Sequence, residues 1–265
     1  MSTSHRRILS AISLLGGSSA IGVGLSIFRT KLVALMLGPA GIGFIGLMQS
    51  LVAAASALGG LGIANAAPRQ AAAELAERGE EGLAEVRHGL VRATLLAALV
   101  AGVGLFILRA PVARLVVGDP SVAPVVGAMG LAVALTIAGG SITAYLAGIG
   151  KVGSVAVVNL ASAVLTTGAA AGLLLTMGER GIVPYLLATP LGLLAAGLWV
   201  ARRRGPRPSA AARHMAWAQA RRLVVLGTPL MIGTFVALGS HLAIRTILQQ
   251  DRKSTRLNSS HTDIS

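Results

Sequence analysis

Two cationic side chains lie in the first long apolar segment of the chain, where a membrane-length helix normally excludes charge. Arg29 and Lys31 occur in the stretch LSIFRTKLVALML. A charge at the middle of a bilayer costs about 2.5–3.5 kcal/mol on insertion scales. A helix that keeps such charges usually turns them toward a protein interior, a water-filled cavity or an anionic ligand. The pair therefore predicts one of these three environments, and the alternative for Arg29 is that it snorkels to the outer interface.

A similar pattern occurs near the end of the chain. Arg245 lies in AIRTIL, which echoes IFRTKL around Arg29, and the same alignment pairs Gly17 with Gly233. Six predicted helices separate the two copies, so both run through a membrane in the same direction. Parallel repeats of this kind form two lobes about an axis along the membrane normal, with the substrate at the lobe interface. We therefore expect Arg29 and Arg245 to face each other across that interface.

The composition is that of a polytopic membrane protein. Hydrophobic residues make up 54% of the chain and charged residues only 12%, whereas soluble domains carry about 25% charged residues. The mean hydropathy is +0.76. The chain has no cysteine and 5 scattered histidines, which excludes disulfides and thiolate metal sites. With no nucleophile–base pair or phosphate loop either, we predict a protein that is not an enzyme, with no cofactor and no metal site.

Seven apolar segments approach the length of about 20 residues that a membrane span needs. They lie near 8–37, 42–64, 90–108, 122–147, 152–177, 182–201 and 223–248. The predicted fold is an all-α polytopic membrane protein with the first six-helix lobe and the first helix of a second lobe. The predicted parts are a lobe over 1–201, a basic inter-lobe linker over 202–222, the first helix of a truncated second lobe over 223–250, and a tail over 251–265.

Basic residues mark cytoplasmic loops, and their distribution predicts a cytoplasmic N-terminus. The net charge of +14 is thus interpreted as membrane topology rather than as nucleic-acid binding. Two inside loops are long. The loop 68–89 is predicted to be a surface helix with a solvated charged face. The loop 202–222 is predicted to link the two lobes, and its arginines suit anionic headgroups.

The last fifteen residues, DRKSTRLNSSHTDIS, are polar and aperiodic. From Asp251 to His261 they resemble the in-frame translation of a common sequencing adapter. Such segments are excluded from fold reasoning. We expect the source genome to diverge from this chain after Gln250, so that the natural protein continues into a second lobe.

A resemblance to a known family starts at Lys31. The sequence KLVALMLGPAGIG, continuing through QSL at Gln49 to GLGIAN ending at Asn65, resembles the N-terminus of bacterial O-antigen and enterobacterial-common-antigen lipid flippases. These proteins belong to the multidrug/oligosaccharidyl-lipid/polysaccharide exporter superfamily. The resemblance is strongest over 20–75 and weaker around 242–250.

The resemblance implies about twelve helices in two lobes around a cavity in the bacterial inner membrane. It implies that an undecaprenyl-diphosphate-linked oligosaccharide moves from the cytoplasmic to the periplasmic leaflet by alternating access. Arg29, Lys31 and Arg245 fit the cationic positions that would bind the diphosphate. The partners implied are the lipid-linked oligosaccharide, membrane lipids, and polysaccharide polymerase and chain-length proteins.

Polar residues within the spans are candidates for contacts to the sugars. We name Gln49, Asn65 and Asn159 first, followed by Ser141, Thr143, Thr166 and Thr167; the plainer interpretation is that small polar residues bond between helices. Two other functions in the superfamily remain open, a lipid II-type precursor flippase and a multidrug cation antiporter. A membrane glycosyltransferase or ligase is a third class, for which the chain offers no catalytic carboxylate.

Overall fold

The computed structural model describes residues 3–204, 217–229 and 231, and 96% of these residues are helical. The prediction of an all-α chain is confirmed. The main helices are α1 (Thr3–Gly59), α2 (Ile63–Ile107), α3 (Arg109–Val112), α4 (Ala123–Gly148), α5 (Val152–Met177), α6 (Ile182–Arg204) and α7 (217–229). Short turns of other helical types cover Ala113–Val117, Pro120–Val122 and Gly178–Gly181. Arg245, most of the segment 223–248, most of the linker 202–222 and the tail 251–265 lie outside the described residues.

Helix α1 is interrupted at Gly38. The backbone there has φ 65° and ψ −171°, a conformation open to glycine because it has no Cβ. Pro39 follows and has no N–H to donate to the preceding turn. Arg29 before the break and Gln49 after it both interact with Tyr185. In a straight helix these two residues would lie about 30 Å apart, so the two arms of α1 fold back against each other.

Helix α2 is interrupted at Gly79, where φ is 63° and ψ is −140°. A Cβ placed on Gly82 would lie 3.0 Å from the backbone oxygen of Glu74. Eight residues of straight helix would separate these positions by about 12 Å. The arm 63–78 therefore folds back along the start of the arm 80–107. The predicted loop 68–89 is helical on both sides of this reversal.

Four helical stretches are long and apolar enough to cross a membrane. They are Ser19–Gly59, Ile63–Ile107, Pro120–Gly148 and Val152–Arg203. This number is smaller than the seven spans predicted, because breaks such as those at Gly38 and at Gly178–Gly181 lie inside single stretches. The four stretches therefore do not confirm the prediction of seven spans.

The described helices pack around α4, which contacts α1, α2 and α6, while α5 packs against α1 and α6. Fully buried side chains along these contacts include Met48, Ile63, Met129 and Leu174. Large apolar side chains also cover the outside: Leu35 is 77% exposed and Val100 is 70% exposed. Apolar surface of this kind is unfavourable in water. The exposed face is therefore compatible with a lipid environment.

Helices α2 and α4 cross at a pair of glycines. A Cβ on Gly102 would lie 2.8 Å from the backbone oxygen of Gly130, and a Cβ on Gly130 would lie 2.5 Å from the oxygen of Gly102. Small residues let membrane helices approach this closely, which strengthens their van der Waals packing. Gly104, two residues along α2, has no such neighbour within 4 Å.

We predict opposite effects for alanine at these two positions of α2. Gly102→Ala should destabilise the fold by about 1–3 kcal/mol, because the added methyl group pushes two backbones apart. Gly104→Ala should be neutral or stabilising by up to about 1 kcal/mol, because alanine favours the helix and meets open space. Thermal unfolding in detergent measures both. Equal stability of the two variants would contradict the close crossing.

Candidate functional site

Arg29 lies on the first arm of α1, in a largely apolar surrounding. Its side chain is half-buried, whereas the neighbouring Phe28 and Ile27 are exposed. The guanidinium lies close enough to Tyr185 of α6 to interact electrostatically with its hydroxyl. The predicted cavity cation is therefore turned toward another helix of the protein rather than only toward the surrounding surface.

Gln49 on the second arm of α1 approaches the same tyrosine. Its side chain lies within reach of the hydroxyl of Tyr185, a residue that is only 2% exposed. The structure thus brings two of the predicted site residues, Arg29 and Gln49, to one neighbour. Tyr185 was missed from the sequence. The signal that would have found it is its rarity, since the chain has only 2 tyrosines.

Lys31 and Arg245 are not brought to this site by the described structure. Lys31 is exposed. It follows Arg29 by two residues, so its side chain is rotated by about 200° from Arg29 around the helix axis. Arg245 lies outside the described residues. The cluster of three cations therefore stays a prediction.

Asn65 lines a separate cavity of about 280 Å³ beside the turn that joins α1 to α2. Leu61 and Gly62 in this turn both have positive φ, 49° and 65°. The polar side chains around the cavity are Ser56, Asn65, Thr136 and Ser141. The Ser56 hydroxyl is buried and has no hydrogen-bond partner among the described residues. The cavity therefore offers hydroxyl and amide groups of the kind that sugars bind.

Most of the other small polar residues bond within their own helices. The hydroxyl of Ser141 donates to the Ile137 carbonyl at 2.9 Å, and that of Thr166 donates to the Ser162 carbonyl at 2.7 Å. Thr143 does the same toward Gly139 and Gly140. Asn159 is exposed on α5 and does not line the cavity. These hydroxyl groups bond within their own helices rather than between helices, so the interhelical interpretation is not supported for them. The buried Thr167 hydroxyl has no hydrogen-bond partner among the described residues.

A cluster of charged and amide side chains joins α7 to both arms of α2. We call it the polar cluster; it comprises Gln70, Glu74, Arg78, Glu85, Gln219 and Arg222. Gln70, Glu74, Glu85 and Gln219 are all 9% exposed or less. The prediction that the loop 68–89 presents a solvated charged face is wrong for Gln70, Glu74 and Glu85. The reversal at Gly79 turns part of that face inward.

Arg78 holds the two arms of α2 together. Its Nη1 and Nη2 donate to Glu85 Oε2 and Oε1 at 2.7 and 2.8 Å. This paired geometry is the strong form of the arginine–carboxylate interaction. These hydrogen bonds, with the charge of Arg78, hold the pKa of Glu85 below its ordinary value of 4.5, although burial opposes the shift.

Glu74 connects the same cluster to α7. Gln219 Nε2 donates to Glu74 Oε1 at 3.2 Å, and Gln219 in turn accepts a hydrogen bond from the Gln70 amide. Arg222 Nη1 and Arg78 Nη1 each lie 3.8 Å from a Glu74 oxygen. Buried carboxylates normally require such partners. The cluster thus fixes where α7 begins, with its charges largely matched internally.

Within the ranges that the structure describes, no group of three or more histidine, aspartate or glutamate side chains is placed to hold a metal ion. Comparisons with known proteins found no match among protein-family models, curated proteins or solved structures. The resemblance around Gly38 therefore stays a prediction, and the function is argued from the residues and their geometry.

The polar cluster predicts a pH-dependent stability. Because the pKa of folded Glu85 is lowered, its ion pair stabilises the fold fully above pH 4.5, and this stabilisation is lost as the pH falls through the folded-state pKa. Arg78→Gln should lower the unfolding midpoint by several degrees at neutral pH and flatten this loss at acid pH. Thermal unfolding across the pH range measures both effects.

Arg69 provides the matched control, since it is an exposed arginine on the same arm of α2. Arg69→Gln should leave the unfolding midpoint and its acid dependence almost unchanged. If Arg78→Gln behaves like Arg69→Gln, the ion pair does not stabilise the fold.

Proposed function

We propose that this chain is the N-terminal part of a flippase that moves an undecaprenyl-diphosphate-linked oligosaccharide across the bacterial inner membrane. One observation carries the proposal: Arg29 is a half-buried cation in an apolar helix, and its charge acts on Tyr185 of α6. A cation retained inside the apolar body of a membrane protein is a functional-site hypothesis by default. The partner it lacks is an anion.

The chemistry of a diphosphate suits this position. Its oxygens accept planar, paired hydrogen bonds from a guanidinium, which is why arginine is so common at phosphate sites. At an effective dielectric constant of about 20, one charge pair at 4 Å gains roughly 4 kcal/mol before desolvation. Gln49 and Tyr185 add neutral hydrogen-bonding groups beside the cation. Arg29 lies about 13 Å along the helix axis before Gly38, a depth that a lipid-linked headgroup reaches only in transit.

The breaks in the helices support the predicted span count. The reversal at Gly38 divides α1 into arms of span length, and Gly178–Gly181 separates α5 from α6. Counted this way, the lobe has six spans before α7 begins a seventh. An even number places the first and seventh spans in the same direction, as parallel repeats require. In the proposal, the seventh span is the first helix of the second lobe.

The exposure of α1 supports a partner on its open side. Of the most apolar stretch of α1, 17% is buried, against 33% to 44% in the other three spanning stretches. Lys31 and Gln49 are exposed on this helix. In the proposal, the second lobe with Arg245 faces α1 across the cavity. The small cavity at Asn65 contributes to the sugar-binding wall.

The membrane orientation follows from the same assignment. The polar cluster and the arginines after α6 lie at the end where basic residues concentrate, and we assign this end to the cytoplasm. The turns around Gly38, Gly118 and Gly178 then lie on the periplasmic side. Polysaccharide polymerase and chain-length proteins are the expected neighbours in the membrane.

Two related functions share parts of this chemistry. A lipid II-type precursor flippase transports the same diphosphate headgroup, and only its sugars differ. A multidrug cation antiporter instead needs carboxylates free to bind a cation. Glu74 and Glu85 are already engaged by Arg78, Arg222 and Gln219, and so they support the antiporter less.

Removing the cation of Arg29 should reduce transport strongly. In the full-length gene of the source organism, Arg29→Gln should lower surface polysaccharide by roughly tenfold or more, because hydrogen bonds to a charged group are each worth about 1.5–3 kcal/mol. Arg29→Lys should be intermediate, because it keeps the charge and loses the paired geometry. Surface polysaccharide per cell, at equal membrane abundance of the protein, is the measurement.

Arg69→Gln again provides the control, since it removes an exposed cation outside the spans. Normal polysaccharide export by Arg29→Gln at wild-type abundance would remove Arg29 from the mechanism. If Arg29→Gln abolishes lipid II translocation and leaves surface polysaccharide unaffected, the protein is a precursor flippase instead. Glycosyltransferase genes beside the full-length gene would support the oligosaccharide substrate.

A further inference from the structure

A groove runs along the surface between α2, α7 and the turn that joins α1 to α2. Its volume is about 740 Å³. The walls are almost entirely apolar, formed by residues such as Leu61, Leu96, Ala97, Val100 and Val224. It is distinct from the Arg29 site and from the cavity at Asn65, whose lining residues are different.

One end of this groove is basic and aromatic. Trp217 and Arg221 belong to its lining, and the guanidinium of Arg92 lies 5.9 Å from the centre of a Trp217 ring. The Trp217 side chain is 61% exposed. Tryptophan and arginine together are typical of the membrane–water interface, where an apolar surface meets headgroups.

The two arginines at this end have no acidic partner in the described part of the chain. The ion pairs described there join Arg78 and Arg222 to Glu74 and Glu85. Arg92 and Arg221 take no part in them. Arg221 therefore lines the end of the apolar groove and Arg92 lies beside its Trp217 ring, and within the described ranges neither has an acidic counter-charge.

We propose that this groove binds an anionic phospholipid of the cytoplasmic leaflet. Its phosphate lies between Arg92 and Arg221, and one acyl chain follows the groove toward Val100. The helix rises about 10 Å from Ala93 to Val100, which covers much of one leaflet of a hydrocarbon core about 30 Å thick. Basic pockets between helices on the cytoplasmic side are suited to anionic headgroups.

The charges favour a lipid over the chain's own remaining segments as the occupant. Residues 205–216 and 232–250 contain no acidic residue and carry arginines of their own, Arg207, Arg213 and Arg245. Such segments offer nothing to neutralise Arg92 and Arg221. An anionic lipid supplies an apolar chain for the walls of the groove and a negative charge for its basic end.

A lipid in the groove would hold α7 against α2. The backbones of Gly62 and Gly227 are in direct contact, so that neither position has room for a Cβ. The polar cluster joins the same helices on another side. The bound lipid adds a third contact at the junction that leads into the second lobe, and the inference holds whichever substrate the protein transports.

Tryptophan fluorescence can test the proposal directly, since the chain has only 2 tryptophans. The probe is the Trp199→Phe protein, whose remaining fluorophore is Trp217, in vesicles with increasing fractions of brominated phosphatidylglycerol or brominated phosphatidylcholine. We expect the anionic lipid to quench Trp217 at a mole fraction roughly fivefold to 30-fold lower than the neutral lipid, because each of the two arginines contributes up to about 1 kcal/mol near an anionic surface.

Three variants separate groove binding from general attraction to a basic surface. Arg92→Gln with Arg221→Gln should make the two lipids quench equally. Ala218→Phe, which keeps both arginines but fills the lining, should weaken quenching by phosphatidylglycerol. The Trp217→Phe protein reports from Trp199, whose ring lies 4.8 Å from the guanidinium of Arg203 outside the groove lining. The Trp217→Phe protein should show a smaller preference for phosphatidylglycerol over phosphatidylcholine.

Several outcomes would overturn the proposal. Equal quenching of Trp217 by both lipids means ordinary surrounding lipid only. An anionic preference that is unchanged in the double arginine variant, or equal at Trp199 and Trp217, places the lipid outside the groove. Absence of quenching by either lipid means that another part of the chain covers the groove.

Discussion

At Gly38 the backbone takes a φ of 65°, and the meeting of Arg29 with Gln49 at Tyr185 depends on that reversal. An apolar chain must keep its backbone hydrogen bonds inside helices, so it changes direction where a residue can leave the helical conformation cheaply. Glycine does so because it lacks a Cβ. Gly79 works in the same way and brings Glu74 beside the second arm of α2. The two reversals thus decide which polar side chains share a location.

The helix α7 is held by interactions of different kinds on different sides. Backbone contact between Gly62 and Gly227 is a steric match that needs two glycines. The polar cluster supplies hydrogen bonds from Gln219 and an ion pair from Arg222. The glycine contact requires close approach, whereas the hydrogen bonds and the ion pair of the polar cluster tolerate small shifts. The start of α7 is therefore fixed both by steric contact and by polar bonds.

Much of the architecture could be predicted from the sequence. The apolar stretches, the break at Gly38-Pro39 and the helical α4, α5 and α6 appear close to their expected bounds, because length and hydropathy strongly constrain a helix in lipid. The burial of Glu74 and Glu85 was not predicted. Their pattern is that of an exposed charged helix, and only the reversal at Gly79 and the position of Gln219 turn them inward. Tyr185 was missed because a single tyrosine in an apolar helix has no periodic signal.

The sequence by itself determined the all-α class, the apolar stretches of membrane length and the presence of charges that need a partner. These follow from composition and from the requirement that backbone polar groups be satisfied within each segment. Only the tertiary structure decided that Arg29 lies near Tyr185 while Lys31 is exposed, and that Arg92 and Arg221 end an apolar groove. Such placements depend on chain reversals and helix crossings between residues far apart in sequence. The two cations of the first helix, Arg29 and Lys31, therefore lie in two different environments.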